Sequence, residues 1–152
     1  MYFYIFLLKF KHILLTILSG DFMDRLKEFI IVFGVGSLSY ALVEVIFRGH
    51  THWTMLLTGG SVFCVLYFAF NYFKKENIFK IGLLGAVLIT TAEYSVGCIV
   101  NLALKMGVWD YSRKPLNLYG QICPAFFFAW FALSIPVFYM ATNLKNEISA
   151  VL

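Results

Sequence analysis

The sequence has few charged residues. Asp, Glu, Lys and Arg make up 13% of the 152 residues, about half of the roughly 25% that a water-soluble domain carries. Apolar residues make up 61%, which excludes a soluble fold and also excludes disorder, since disorder needs low hydrophobicity. The net charge of +4 does not indicate a nucleic-acid partner, because an excess of Lys and Arg in a membrane protein reports its topology.

Catalytic and nucleotide-binding signatures are also missing. The chain has no Walker A loop, no G-x-S-x-G elbow and no Cys/His zinc spacing. Its three cysteines, Cys64, Cys98 and Cys123, lie in or beside apolar runs and are interpreted as small hydrophobic residues. The sequence therefore predicts neither an enzyme nor a cofactor. Energy for any transport must come from a separate subunit or from an ion gradient.

Four apolar stretches are long enough to cross about 30 Å of hydrocarbon at about 1.5 Å per residue. The predicted spans are residues 29–47, 53–73, 78–104 and 121–141. Short links between them make consecutive helices antiparallel. The predicted fold is an all-α integral membrane bundle of four transmembrane helices, formed by residues 23–152.

Residues 1–22 form a separate amino-terminal extension. The segment is apolar but carries Lys9, Lys11 and His12 near its middle, which disfavours a fifth span because a lysine is costly at mid-membrane. Two interpretations remain. The segment is an extra interfacial helix, or it is a translated leader upstream of a true start at Met23.

The distribution of Lys and Arg predicts the orientation. With the amino terminus inside, the inner segments hold six to eight basic residues and the outer segments hold four. This favours both termini in the cytoplasm of a bacterial cell, with the chain in the cytoplasmic membrane. In either orientation the antiparallel order places the first and third loops on the same face of the membrane.

Two carboxylates, Glu44 and Glu93, lie within predicted spans. Glu44 precedes Arg48 by four residues, the favourable order for an ion pair, whereas Glu93 has no cation near it on its own helix and is a functional candidate by default. Each belongs to a stripe of small and polar residues spaced three or four apart. The first stripe consists of Gly34, Ser37, Ala41, Glu44 and Arg48. The second consists of Gly82, Ala86, Thr90, Glu93, Gly97 and Asn101. We expect the two stripes to face each other.

Both outer loops carry polar residues. In the first loop, His50 and His52 could join Glu44 as metal ligands, or act as a pH-responsive hydrogen-bonding pair. In the third loop, residues 109–121, the side chains of Asp110 and Asn117 can bind their own backbone and fix a turn. This loop is interpreted either as a rigid cap over the bundle or as a ligand gate.

Four stretches together resemble one bacterial family. They are Arg48-Gly49-His50-Thr51-His52-Trp53-Thr54-Met55 with Gly59-Gly60, Glu93 with Gly97-Cys98-Ile99-Val100-Asn101, Trp109-Asp110-Tyr111-Ser112 with Pro115-Leu116-Asn117, and Gly120-Gln121-Ile122-Cys123. The chain is similar over residues 29–141 to the putative ABC-transporter type IV family of CmpB-like permeases. The resemblance implies a permease in the lipid bilayer with a separate ATPase subunit. Four spans are half of an ordinary permease, so it also implies a homo-oligomer or further subunits.

The resulting hypothesis is a transport protein with a polar intramembrane site centred on Glu93. Eight further residues are predicted to line or cap this site: Glu44, Arg48, His50, His52, Asn101, Asp110, Asn117 and Gln121. One alternative is an interaction or regulatory subunit in which these residues only hold helices together. Another is a small proton-coupled exporter, which would also use four spans and a buried glutamate.

Overall fold

The computed structural model describes residues 20–151, and these residues form helices and loops without a β-strand. The four α-helices are α1 (Gly20–Arg48), α2 (Trp53–Tyr72), α3 (Ile78–Gly97) and α4 (Pro124–Val151), and a π-helical segment, Cys98–Ala103, continues α3. All four helices are long and apolar enough to cross a membrane. The predicted all-α bundle of four transmembrane helices is confirmed. Of the predicted amino-terminal extension, residues 1–19 lie outside the described part, and residues 20–22 form the start of α1.

Local signals set the helix starts. The side chain of His52 caps α2 by accepting a hydrogen bond from the amide of Thr54, and that of Asn77 caps α3 in the same way. Helix α4 begins at Pro124, three residues after the predicted start of its span. Proline suits the first position of a helix, where its missing N–H leaves no bond unmade.

Glycines allow the closest helix contacts, which join α1 to α2 and α3 to α4. A Cβ atom on Gly36 of α1 would lie 2.3 Å from the Cβ of Phe63 on α2. A Cβ atom on Gly85 of α3 would lie 2.1 Å from the Oγ of Ser134 on α4. Each glycine therefore lets two backbones approach more closely than any side chain would permit.

The expectation that the α1 and α3 stripes face each other was wrong. In the α1 stripe, Ser37 donates a hydrogen bond of 2.8 Å to the carbonyl of Leu56 on α2. In the α3 stripe, Gly82 lies against Phe131 of α4. Helices α1 and α3 are not among the pairs that pack directly. Periodicity identifies the residues that share a helix face, but it does not identify the helix that the face contacts.

Candidate functional site

Glu93 lies one turn before the end of α3 and is 4% exposed. Its Oε2 accepts a hydrogen bond of 2.6 Å from the indole N–H of Trp130 on α4. Tyr111, in the third loop, is a neighbour of this carboxylate. No ion pair among the described residues includes Glu93. Its carboxylate is therefore held by a neutral donor and, in the described part of the chain, is not paired with a cation.

Aromatic rings surround this carboxylate. The indole of Trp130 stacks on the ring of Tyr40, with a centroid distance of 6.4 Å, which brings α1 and α4 together at this level. Tyr111 stacks on Phe126 at 4.3 Å. Burial, and then the charge of Glu93, raises the pKa of Tyr111 above its usual range. Its phenol consequently keeps its proton and stays neutral beside the carboxylate.

Glu44 is 5% exposed but, unlike Glu93, it is paired. Its Oε1 lies 2.6 Å from Nη1 of Arg48, which is the predicted ion pair, and its Oε2 accepts a hydrogen bond of 2.5 Å from Thr51. The other terminal nitrogen of Arg48 donates to the carbonyl of Val108. The first and third loops therefore meet on one face, as their antiparallel order predicts.

The two loop histidines have local roles. His50 is exposed, with Nδ1 3.0 Å from the carbonyl oxygen of Arg48. The Nδ1 atom of His52 lies 2.7 Å from the hydroxyl of Thr54 and caps α2. The oxygens of Glu44 already have partners in Arg48 and Thr51. Within residues 20–151, no group of three or more His, Cys, Asp or Glu residues is arranged to hold a metal ion.

Asn101 and Gln121 fasten the third loop to the bundle. Asn101, in the π-helical segment, donates to Oε1 of Gln121 at 2.8 Å and accepts from the amide of Val108 at 2.7 Å. The backbone carbonyl of Gln121 accepts a hydrogen bond of 3.0 Å from the indole of Trp109. Gly97, four residues before Asn101 in the predicted α3 stripe, lies against the same Oε1 atom of Gln121, so these two positions share a face as helical periodicity predicts.

Asp110 and Asn117 shape the tip of the same loop. Asp110 accepts hydrogen bonds from the amide and the hydroxyl of Ser112, at 2.8 and 2.9 Å, and these bonds lower its pKa. Asn117 donates to the carbonyl of Lys114 and accepts from the amide of Gly120, whose φ is +68°. These bonds are internal to the loop, as the rigid-cap interpretation requires.

The predicted site residues thus fall into three groups. One cluster contains the buried Glu44 and Glu93 and the partly exposed Arg48, and we call it the outer cluster together with its aromatic neighbours Tyr40, Tyr111 and Trp130. Asn101 and Gln121 form the second group and hold the third loop against the bundle. The other four predicted residues, His50, His52, Asp110 and Asn117, make the local contacts given above.

Sequence reasoning missed the roles of Tyr40 and Trp130. Tyr40 precedes Glu44 by four residues and therefore shares its face of α1, so periodicity could have found it. Trp130 carried no such signal, since an aromatic residue in an apolar span is ordinary. Its role depends on the packing of α4 against α3.

A second polar cluster was also missed. Oε1 of Glu28 on α1 accepts a hydrogen bond of 2.5 Å from the hydroxyl of Tyr67 on α2 and lies 2.7 Å from Nζ of Lys145 on α4. Glu28 precedes Glu44 by sixteen residues, a rise of about 24 Å along a helix. This inner cluster therefore ties three helices together at the end of the bundle opposite the outer cluster.

The chain was compared with known families and proteins. The model of the family described as Putative ABC-transporter type IV matches residues 12–151. The chain belongs to this family. Comparisons with curated proteins and with solved structures gave no match. The family description points to a transporter component rather than a classical enzyme, and the four apolar helices fit a multi-pass membrane protein. The family relationship predicted from the loop motifs is confirmed.

Proposed function

We propose that this family member is the membrane-embedded component of a transport system and that its outer cluster binds a small ligand or ion. The observation that carries the proposal is the buried carboxylate of Glu93, which accepts a hydrogen bond from the neutral indole of Trp130 and has no ion-pair partner within residues 20–151. An ionised carboxylate inside a membrane is costly unless a proton or a cation neutralises it. Glu93 is therefore suited to bind either one.

The contrast with Glu44 supports this assignment. Both carboxylates are buried, but Arg48 neutralises only Glu44. A residue that serves packing alone could be an amide, which would accept the same hydrogen bond from Trp130 without the cost of burying a charge. A carboxylate at this position has an advantage over an amide only if its negative charge binds a proton or a cation.

The proposal includes the setting of the protein. The bundle lies in a bacterial cytoplasmic membrane with both termini in the cytoplasm, in keeping with the distribution of basic residues. Its partners are the lipid bilayer, a second copy of the chain that completes the pathway, and a separate ATPase subunit, which the family description suggests. An ion gradient is the alternative energy source, since a carboxylate that takes up a proton could couple transport to it.

One observation favours a second candidate, a regulatory or interaction subunit without a pathway. The hydrogen bond from Trp130 to Glu93 joins α4 to α3, so the carboxylate could serve only to hold the two helices together. In that case the Glu93 side chain would influence the stability of the protein and would have no effect on the binding of any ligand.

A thermal-shift experiment tests the function. The purified protein is screened for compounds that raise its melting temperature, using alkali and divalent cations, ammonium compounds, amino acids and sugars. Stabilising compounds are then tested on Glu93→Gln and on Glu28→Gln, a matched control that removes the carboxylate of the inner cluster. We expect a compound that stabilises the wild type and Glu28→Gln but not Glu93→Gln.

The two candidate functions predict different results in this experiment. If every compound acts equally on Glu93→Gln and on the wild type, while the variant alone melts at a lower temperature, the regulatory-subunit candidate is supported and the ligand site is rejected.

A further inference from the structure

An apolar groove runs along the side of the bundle between α1 and α4. It is lined by Tyr40 and Val43 of α1, by Trp130 and Val137 of α4, and by Phe63 of α2. Its volume is about 80 Å³. We call this feature the lateral groove. None of the residues predicted as site residues from the sequence lines it.

The packing of the helices creates the groove. Helix α1 packs on α2, and α4 packs on α3 and α2, whereas α1 and α4 are not a directly packed pair. Side chains connect α1 to α4 at two levels, through the Tyr40–Trp130 stack and the Glu28–Lys145 ion pair. Gly36 and Gly59 also line the groove, and a Cβ atom on them would collide with Phe63 and Tyr40, respectively.

The groove ends against the outer cluster. Trp130 lines the groove and also donates its indole N–H to Glu93, so one side chain contacts both the groove and the carboxylate. The charged groups that act on Tyr40 are those of Glu93, Glu44 and Arg48. When Glu44 and Glu93 are both ionised, the positive charge of Arg48 balances one of them, and one negative charge remains next to Tyr40 and Trp130, the aromatic pair.

This charge is complementary to a single cation. The faces of Trp and Tyr rings attract ammonium groups, and the attraction is strongest where water is excluded. An engineered cavity of roughly 150 Å³ encloses one benzene molecule, so a groove of about 80 Å³ can enclose only part of a ligand that extends beyond it. An alkyl chain that continues outward among the lipid chains satisfies this limit.

We propose that the lateral groove binds a single-chain amphiphilic cation, whose alkyl chain lies between α1 and α4 and whose ammonium group lies at Tyr40 and Trp130. The inference rests on the proposed function, because Glu93 supplies the countercharge. The inference adds two points to the proposed function, namely the chemical class of the ligand and its route of entry from the lipid. The chain supplies apolar contact area, and the aromatic pair with the charge behind it selects the cation.

Equilibrium dialysis with radiolabelled dodecyltrimethylammonium tests the proposal. The protein is placed in phosphatidylcholine nanodiscs, and uptake by empty nanodiscs is subtracted. Dodecyldimethylamine N-oxide at about pH 8 serves as a ligand with the same chain and no net charge. We expect saturable binding of the cation, about tenfold tighter than binding of the amine oxide, as a desolvated cation–π contact and a buried countercharge imply.

Variants locate the binding site. Val43→Phe fills the groove from α1, and Val137→Phe fills it from α4 if the first variant does not fold. Leu38→Phe is the matched control, because Leu38 is on α1 but is 71% exposed on the outer surface of the bundle. We expect a loss of affinity of about tenfold for either groove variant, from lost apolar contact area, and no loss for the control. Glu93→Gln should also weaken binding of the cation, but it should not affect the amine oxide.

Three results would overturn the inference. Equal affinity for the cation and the amine oxide would show binding of an alkyl chain only. Unchanged affinity in both groove variants, with loss in Glu93→Gln, would place the cation outside the groove and leave the proposed function intact. Unchanged affinity in Glu93→Gln, with loss in the groove variants, would remove the role of the carboxylate and count against the proposed function as well.

Discussion

Arg48 is bound to Glu44 by a contact of 2.6 Å between Nη1 and Oε1, and the same guanidinium donates to the carbonyl of Val108 in the third loop. A single side chain thus neutralises a buried carboxylate and joins the first and third loops. Glu93 has no such partner among the described residues. This difference separates a structural carboxylate from the one that we assign to ligand binding.

Replacement of Arg48 should destabilise the protein. Arg48→Met leaves the carboxylate of Glu44 buried without its countercharge. The Arg48 side chain is 32% exposed, so water compensates in part, and we expect a loss of about 1–3 kcal/mol in the free energy of unfolding. Chemical denaturation in detergent, followed by circular dichroism, measures the change. Lys27→Met is the control, because it breaks only the exposed ion pair with Asp24.

Replacing both partners tests the explanation. The double variant Glu44→Gln with Arg48→Met removes the buried charge as well, so it should be more stable than Arg48→Met alone. If the double variant is the less stable of the two, the charge of Glu44 is not the cause of the loss.

Two glycines on α1 should respond differently to the same substitution. Gly36→Ala introduces a Cβ atom 2.3 Å from the Cβ of Phe63, so α1 and α2 must move apart, which costs about 1–3 kcal/mol. Gly34 has no atom within 4 Å of the new Cβ position, and Gly34→Ala should be neutral or should stabilise the helix by about 0.5–1 kcal/mol. Thermal unfolding of the two purified variants measures the difference. Equal melting temperatures would show that the α1–α2 contact is not as close as described.

The third loop should loosen when Asn101 is replaced. Asn101→Leu removes the bonds to Gln121 and to the amide of Val108, and this amide and the Gln121 side chain then lack those partners. We expect faster maleimide labelling of Cys123, which is buried beside Gln121, and unchanged labelling of Cys64 in the core. Peptide mass spectrometry distinguishes the two thiols. Equal acceleration at both cysteines would indicate general unfolding instead.

The turn at Asp110 should depend on pH. Hydrogen bonds from the Ser112 amide and hydroxyl lower the pKa of Asp110 below its ordinary value of roughly 3.9. Since the folded form has the lower pKa, this stabilisation is present above the ordinary value and is lost as the pH falls through the folded one. Carbon-13 NMR of the carboxyl group, titrated from about pH 7 to about pH 2, measures the midpoint. Ser112→Ala removes only the hydroxyl bond and should move the midpoint upward, whereas an unmoved midpoint would contradict this cause.

Much of the fold follows from hydropathy alone. A stretch of about twenty apolar residues is long enough to cross the bilayer as a helix, because no other spanning structure satisfies its backbone hydrogen bonds locally. Loop length then makes consecutive helices antiparallel, which predicts that the loops containing Arg48 and Val108 share a face. The ion pair of Glu44 with Arg48 was predictable for a similar reason, since residues four apart are neighbours on a helix.

The sequence by itself determined the four helices, their antiparallel order, the burial of Glu44 and Glu93 and the family to which the chain belongs. Tertiary structure alone decided which helix lies beside which, and so it decided that Trp130 contacts Glu93 and that α1 and α4 leave a groove between them. The physical reason is the range of the interactions. Hydrophobicity and helical periodicity act along one segment, whereas close packing depends on the shapes of two facing surfaces, such as Gly36 against Phe63, that are far apart in the chain.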